Sequence, residues 1–587
     1  MNDQALSEVI AWAMAQEIAP LPHHLVAGTS DDERRALAAL GGVARALAEG
    51  ASPSWPEEVR AWMEEAPRPP STLIKAVRPT LADRDDVLAR CYEHIVTGRN
   101  RRRLGTFFTP PAVVEFMLDH SEAAMGTPAT IVDPGAGVGA FTLAARRRWP
   151  TSRVVAVDIN LVTLGLLATR CQVEHVADIE LVLDDYLSWT AKGYQELDPP
   201  RLTIGNPPYT RHQDLKDKAK KQVAMKAAGD LVSSGLAGLS TYFLAAALNA
   251  LEDQDSLCLL LPGTWTEARY GREVREALWK DAHRLTEFRA FPPDLVVFSG
   301  TRVTAMTLLL GPVKDQAQPM TTATARLDSD GVRTINVRSR IRQGPAPATL
   351  GTWLWPRPPS TRKTQLALGE IARVRRGVAT GANRFFFLTD AARDGLPGGA
   401  TIPTLVRLRH VRRRALDRIA HDEIGRQGLR RWLLFLEDEA LVQDPRVQTL
   451  LEKGVKAGLP DRYLLSDRDP WYKVETVQPP DLFVSPMSKA LFRAVPNEVS
   501  AVHSNSLYGL YLRDNFYRLY PRDNSGLARC VANYLNSDEG QRAMRAQGRH
   551  YGRGLIKLEP GNLLAVVIPP PEVLVVEFGE PNTLTTD

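Results

Sequence analysis

VDPGAGVGAF, residues 132–141, is the stretch whose reading decides the fold. The apolar run ATIVD (129–133) reads as a buried strand that stops on an acid, Asp133. Three glycines follow, Gly135, Gly137 and Gly139, and AFTLAARRRW then reads as a helix. Glycines between a strand and a helix allow a tight turn and let a ligand approach the backbone closely. Outward from this turn the pattern repeats. RVVAVD (153–158), IELVLDD (179–185), RLTIGN (201–206) and LCLLLP (257–262) are short apolar runs separated by helical stretches, and LTEFRAF and VTAMTLLLG close the series. Strand, helix, strand in repetition predicts an α/β, doubly wound parallel sheet, in which ligands bind at the carboxyl ends of the strands.

The acids sit at those ends. Asp158 closes the second strand about twenty residues beyond the glycines, where a carboxylate can take ribose hydroxyls. Asp184 and Asp185 close the third. A glycine loop alone could be a structural turn. With an acid at each of the next two strand ends it predicts a nucleotide-like ligand. The glycines run G-A-G-V-G rather than G-x-G-x-x-G, which favours an adenosine-bearing cofactor without a pyrophosphate. S-adenosylmethionine fits, with Asp158 at the ribose, Asp185 at the adenine amino group and the glycine loop beside the methionine moiety.

The fourth strand runs into Gly205-Asn206-Pro207-Pro208-Tyr209. Two prolines stiffen the loop and leave its carbonyls, not its amides, on offer. Asn206 adds a side-chain carbonyl. Two acceptors held close together suit an NH2 group, and Tyr209 offers a flat face to a planar base. Accepting both hydrogens of an exocyclic amine favours a pyramidal nitrogen with its lone pair free, so positioning and electrostatics carry the chemistry without a strong base.

Five stretches together resemble the amino-group DNA methyltransferases, in particular adenine-N6 enzymes of the Taq-methylase type: GTFFTPPAVVEFM (105–117), VDPGAGVGAF, VVAVDIN, GNPPY and VFSGTRVTAMTLLL (297–310). Their order is the gamma arrangement, in which a C-terminal part reads DNA sequence. The resemblance implies a Rossmann-like, S-adenosylmethionine-dependent catalytic domain. It assigns Thr109, Asp133, Pro134, Gly135, Ala136, Gly137, Asp158, Ile159, Asp185, Tyr186 and Asn206 to the cofactor, and Asn206, Pro207, Tyr209 and Phe298 to the target base. A departure lies at Ala136, where many relatives carry cysteine or serine; a largely backbone contact there makes it neutral. Such an enzyme must flip the nucleotide out of the duplex, a cost offset by base–aromatic stacking of about 1–3 kcal/mol per base and by phosphate contacts. N-P-P-Y also occurs in methyltransferases acting on RNA or on a protein glutamine, and cytosine-N4 enzymes share the chemistry, commonly with serine in place of the asparagine. A non-catalytic DNA-binding specificity subunit is the alternative from another class; the intact Asn206, Asp158 and glycine loop speak against it.

The 587 residues predict three parts: a helical N-terminal extension (1–100), the catalytic domain (101–365) and an α+β target-recognition domain (366–587). Within the first, Ser30 reads as a helix N-cap. After about 311 the pattern fades into loop or linker. Residues 401–431 hold nine arginines against three acids; Arg407, Arg409, Arg412, Arg413 and Arg414, with Arg375 and Arg376 beside Gly377, are candidates for DNA contact. A solvated surface is the bland alternative. Net charge is +5, which permits a polyanion partner without requiring one. Four scattered cysteines predict reduced, buried thiols and no zinc. The N-terminus lacks the basic and apolar regions of a signal peptide, and no apolar run approaches the roughly 20 residues that span a bilayer. The expectation is a monomer in the cytoplasm, at the nucleoid, acting on double-stranded DNA without a metal. No acid followed by an E-x-K triplet suggests a fused nuclease in residues 1–100; a separate cognate endonuclease or a solitary methylase fits equally.

Overall fold

The computed structural model describes the chain apart from residues 1, 27–29, 83–86, 98–99, 101–107, 211–216, 292–304, 329–330, 347–365, 477, 514–524, 552–553 and 580–587. It forms two compact units, Met1–Pro356 and Arg357–Asp587.

The first unit is built on nine strands: β1 (Thr130–Pro134), β2 (Arg153–Asp158), β3 (Ile179–Leu183), β4 (Arg201–Gly205), β5 (Ser256–Pro262), β6 (Arg284–Ala290), β7 (Ala305–Val313), β8 (Met320–Asp328) and β9 (Gly331–Arg340). Their order in the sheet is β3-β2-β1-β4-β5-β7-β6-β8-β9. Strands β3 to β5 run parallel, and β7 enters antiparallel between β5 and β6. Alternate side chains of a strand point to opposite faces, so Ile131 and Val154 join the core beneath the helices Pro111–Met125 and Ala140–Arg148. Val132 and Val155 join the core beneath Tyr186–Gly193 and Leu239–Ala250. Both faces are covered, which is why the strands read as continuous apolar runs.

Strands β8 and β9 correct the expectation that order fades after residue 311. MTTATARLD and GVRTINVRSR carry threonines and arginines where the inner strands carry Val and Leu. Thr321 and Thr322 are buried, and β9 is largely exposed. A polar strand at the sheet margin lacks the apolar signature of an inner strand, although its β-branched residues suit the pleat.

The N-terminal helices Asn2–Met14, Asp31–Ala48, Glu57–Glu65, Ser71–Ala82 and Val87–Ile95 belong to this same unit. They share one core with the helix Leu161–Val173, which follows β2. Trp62 makes the joint: its indole donates to the carbonyl of Leu37 at 3.0 Å. A Cβ on Gly165 would stand 2.3 Å from the Trp62 ring, and one on Gly41 would stand 2.5 Å from its carbonyl. Ser30 caps Asp31–Ala48 in a capping box with Glu33. The buried Glu33 carboxylate also accepts from the Thr97 backbone at 2.7 Å and the Asn100 side chain at 2.6 Å. It thereby ties this layer to the chain that leads to Thr109.

The second unit holds an antiparallel sheet of Ala372–Arg376, Tyr508–Leu512, Leu482–Val484 and Ala494–Pro496, packed on the helices Ser525–Asn536 and Asp538–Gln547. A further sheet joins Phe387–Leu388, Trp432–Leu434, Thr401–Leu405 and Val502–His503. This is the α+β pattern expected of it. All four cysteines are buried thiols outside any disulfide. Among the described residues no helix is long and apolar enough to cross a membrane.

Because the Trp62 indole fills the space above Gly165, Gly165→Ala is expected to destabilise the first unit by about 1–3 kcal/mol, the usual cost of an added methyl in a filled core. Urea unfolding followed by circular dichroism measures it. An unchanged midpoint would show that the two layers are not packed as described.

Candidate active site

In an open α/β sheet the strand order reverses at one point, and ligands bind in the crevice there. Here the reversal lies between β1 and β4, paired in parallel from Thr130↔Arg201 to Val132↔Thr203. The glycine loop leaves one strand and the Asn-Pro-Pro-Tyr loop leaves the other. They touch: a Cβ on Gly135 would lie 3.5 Å from Pro208. A Cβ on Gly205 would lie 2.7 Å from Asp133 Oδ1 and 3.0 Å from Pro134, so only glycine admits this approach.

The glycine loop is a left-handed cradle, with φ of +74° at Gly135, +57° at Gly137 and +86° at Gly139. The amides of Gly135 and Ala136 donate to the carbonyl of Val157 at 2.8 and 3.1 Å, which binds the loop to the end of β2. Gly139 opens the helix Ala140–Arg148, where the buried Asp133 accepts from the backbone and hydroxyl of Thr142 at 3.0 and 2.6 Å. Burial pushes Asp133 up to about 7, against the pull of the Thr142 bonds. Asp133 is thus committed to holding the loop and the helix start.

Asp158 lies at the tip of β2. Its Oδ2 accepts from the Gly137 amide at 2.7 Å and its Oδ1 from the Asn160 amide at 2.7 Å. Burial pushes it up to about 6, with those bonds pulling the other way. Ile159, next to it, is 47% exposed, an aliphatic face open at the strand end. Asp185 caps the helix Tyr186–Gly193 by accepting from Leu187 at 3.0 Å; burial raises its carboxyl. Thr109 is buried just before the helix Pro111–Met125.

Two placements differ from the expectation. The Tyr186 ring is buried and stacked on Phe243 at 5.1 Å, a core contact, so only its backbone can face a cofactor. Tyr209 is 8% exposed and packs in the core with Phe141, Ile204 and Phe291, a wall rather than a free face. The partly buried Asn206 and the buried Pro207 stand before it in the same loop, separated from it by Pro208. Phe298 lies outside the described residues.

In the second unit Arg375 and Arg376 are exposed on Ala372–Arg376, Arg375 over the Tyr511 ring at 5.9 Å and Arg376 within 3.4 Å of Glu559. Arg407, Arg409, Arg412, Arg413 and Arg414 are all exposed. Only Arg413 of these five pairs with acids among the described residues, Asp417 and Glu423 at 3.5 and 3.6 Å. Arg431, counted in the same cluster, is instead internal, bound to Asp390 at 2.7 Å and Asp422 at 2.8 Å. Sequence reading missed Arg493, whose guanidinium donates to the carbonyls of Leu408, Val411 and Arg413 and so pins the loop bearing Arg409 and Arg412. Nothing in the sequence around residue 493 signals that partnership, about 80 residues away.

Three family models match the chain: Eco57I restriction-modification methylase over residues 202–298, the C-terminal domain of type II methyltransferase M.Eco57I over 360–581, and the methyltransferase small domain over 114–242. The chain is 26% identical over 525 residues to the type II methyltransferase M.XamI of Xanthomonas campestris pv. amaranthicola, covering 86% of this chain and 91% of that one. It is 21% identical over 504 residues to the type II methyltransferase M.AccI of Acinetobacter calcoaceticus, covering 81% and 87%. Its fold is similar to that of the Type IIL restriction-modification enzyme MmeI, solved in complex with DNA, at a TM-score of 0.53, 13% identity and coverage of 93% and 79%. The cofactor of such a methyltransferase is S-adenosylmethionine, and the site fits it: a glycine cradle without Cβ atoms, a carboxylate at the tip of β2 and an exposed aliphatic side chain beside it.

Asp133 supplies a pH test of the site. Its folded pKa lies above the unfolded carboxyl value of about 3.9, so the folded state holds the extra proton. The stabilisation is present below the unfolded pKa and is lost as pH rises through about 7. Between roughly pH 4 and pH 7, the span from the unfolded to the folded value, the wild type is therefore expected to lose stability relative to Asp133→Asn, measured by urea unfolding across the range. Parallel pH profiles would contradict it.

Proposed function

We propose that this chain, a type II modification methyltransferase dependent on S-adenosylmethionine, methylates the N6 amine of a specific adenine flipped out of double-stranded DNA. One observation carries the reading: Asn206 and Pro207 leave β4 at the switch point, against the glycine cradle. Acceptors for an amine and the cradle for a methyl donor therefore share one crevice.

When bound, S-adenosylmethionine supplies a methyl group on a sulfonium sulfur. Asp158 accepts the ribose hydroxyls on the lone pairs that Gly137 and Asn160 leave open, Ile159 covers the adenine ring of the cofactor, and Asp185 takes its amino group. Asp133, Pro134, Gly135, Ala136, Gly137, Thr109 and the Tyr186 backbone line the remainder. At the target base, Asn206 Oδ1 and the Pro207 carbonyl accept the two amine hydrogens, which frees the nitrogen lone pair. Tyr209 is the wall against which the base rests, with Phe298 its second aromatic contact. Orientation and fixed dipoles carry the rate, so no side chain acts as a strong base. Asparagine in the loop favours adenine over cytosine.

The second unit reads the target sequence. Arg375, Arg376, Arg407, Arg409, Arg412, Arg413 and Arg414 meet phosphates, since exposed guanidiniums bind them with charge and direction. A monomer in the cytoplasm, at the nucleoid, with a separate endonuclease of the same target or none, completes this reading.

The decisive assay incubates the protein with labelled S-adenosylmethionine and unmethylated genomic DNA, then identifies the modified nucleoside. N6-methyladenine is expected, and N4-methylcytosine would correct the base. Asn206→Ala is expected to lose turnover with cofactor affinity little changed; full activity in that variant would remove the mechanism. For the second unit, Arg409→Ala is expected to weaken binding to all DNA sequences alike and to reduce the slope of log K against log salt by about 1. A slope identical to wild type would take Arg409 out of the interface.

A further inference from the structure

The N-terminal helical layer reaches the cofactor acid through one hydroxyl. Tyr92 lies in the helix Val87–Ile95 and is fully buried. Its hydroxyl accepts from Asn160 Nδ2 at 2.9 Å. The orientation of that amide is set by its other end, because Asn160 Oδ1 accepts from the backbones of Val162 and Thr163 at 3.0 and 3.4 Å as the N-cap of Leu161–Val173. The backbone amide of Asn160 in turn donates to Asp158 Oδ1. On its other side the Tyr92 ring meets Phe108 edge to face at 6.2 Å, and Phe108 lies 3.9 Å from the place a Cβ on Gly137 would occupy. Gly137 donates to the second oxygen of Asp158. Tyr92, Asn160, Asp158, Gly137 and Phe108 thus close a ring of contacts around one carboxylate.

We propose that Tyr92 is a positioning residue for Asp158, and that the helices before residue 100 are therefore a working part of the cofactor site. The proposal rests on the reading that Asp158 takes the ribose hydroxyls of S-adenosylmethionine. A carboxylate accepts in chosen directions only if its rotation is fixed, and both of its fixing donors lead back to Tyr92: one through the hydroxyl, one through the ring. Removing the hydroxyl leaves the Asn160 amide short of an acceptor inside the protein. The Asn160 side chain then shifts or takes in water, which loosens the residue whose backbone amide holds Asp158 Oδ1.

Tyr92→Phe separates the two routes, since it keeps the ring on Phe108 and deletes only the hydroxyl. Asn160→Ser is the second variant: it keeps a helix cap and deletes the donor of the same bond. Binding of S-adenosylmethionine and of S-adenosylhomocysteine to the full-length protein is measured by calorimetry, with thermal melting as the check on folding. Each variant is expected to raise Kd for both ligands roughly ten-fold, the effect of one lost buried hydrogen bond. The double variant should be no weaker than either single one, and the affinity for DNA should stay unchanged. In an Asp158→Asn background, Tyr92→Phe should cost nothing further. Wild-type affinity in both single variants would overturn the proposal and leave the cofactor reading standing. An undiminished effect of Tyr92→Phe in the Asp158→Asn background would overturn it too, by showing a general loosening of the fold. If Asp158→Asn alone binds S-adenosylmethionine as tightly as wild type, the cofactor reading of Asp158 fails, and the positioning role with it.

Discussion

The close approach of two strand ends governs this site. Strands β1 and β4 are neighbours at the point where the sheet reverses its order, and their exits nearly coincide in space. A Cβ at residue 205 would collide with the Asp133 carboxylate and crowd the Pro134 ring. Glycine there lets the Asn-Pro-Pro-Tyr loop settle on the glycine cradle. Asp133 completes the junction by fixing the first turn of the next helix through Thr142. An acid is useful in that place because it can accept several bonds at once. Burial raises its pKa to about 7, and the retained proton lowers the cost of enclosing the carboxyl.

The helices of the first hundred residues are the less familiar part. A cofactor crevice in a doubly wound sheet needs both faces covered, and one face here is covered from outside the repeating strand–helix pattern. The helix Leu161–Val173 is buried along nearly its whole length, which a helix with one solvated side cannot be. Its apolar sequence already asks for a second layer, and Trp62 against Gly165 shows how that layer is seated. The same layer supplies the hydroxyl that meets Asn160, two residues beyond Asp158.

In the second unit, charge and backbone are arranged by different residues. Exposed arginines on the 407–414 loop give it its positive face, whereas Arg493, distant in the chain, holds that loop by its carbonyls. Arg431 shows why counting charges is a poor guide to an interface: its largely buried guanidinium is spent on Asp390 and Asp422. An arginine with two carboxylates at hydrogen-bond distance is a fastening, not a binding surface.

The sequence by itself determined the sheet of the catalytic unit, its glycine cradle, the acids at its strand ends, the Asn-Pro-Pro-Tyr loop and the kinship those motifs express. Each is a local signal: a short apolar run, a residue at a strand end, a turn that only certain residue types can make. Strands β8 and β9 escaped because marginal strands are polar, and the membership of the N-terminal helices escaped because a helix's own periodicity does not say what it packs on. Whether Tyr186 and Tyr209 offer faces or fill the core, which arginines are exposed, and that Tyr92 stands behind Asp158 were decided by tertiary structure alone. Those properties depend on which distant residue arrives alongside. The packing of the whole chain settles that, and no short stretch of it carries the information.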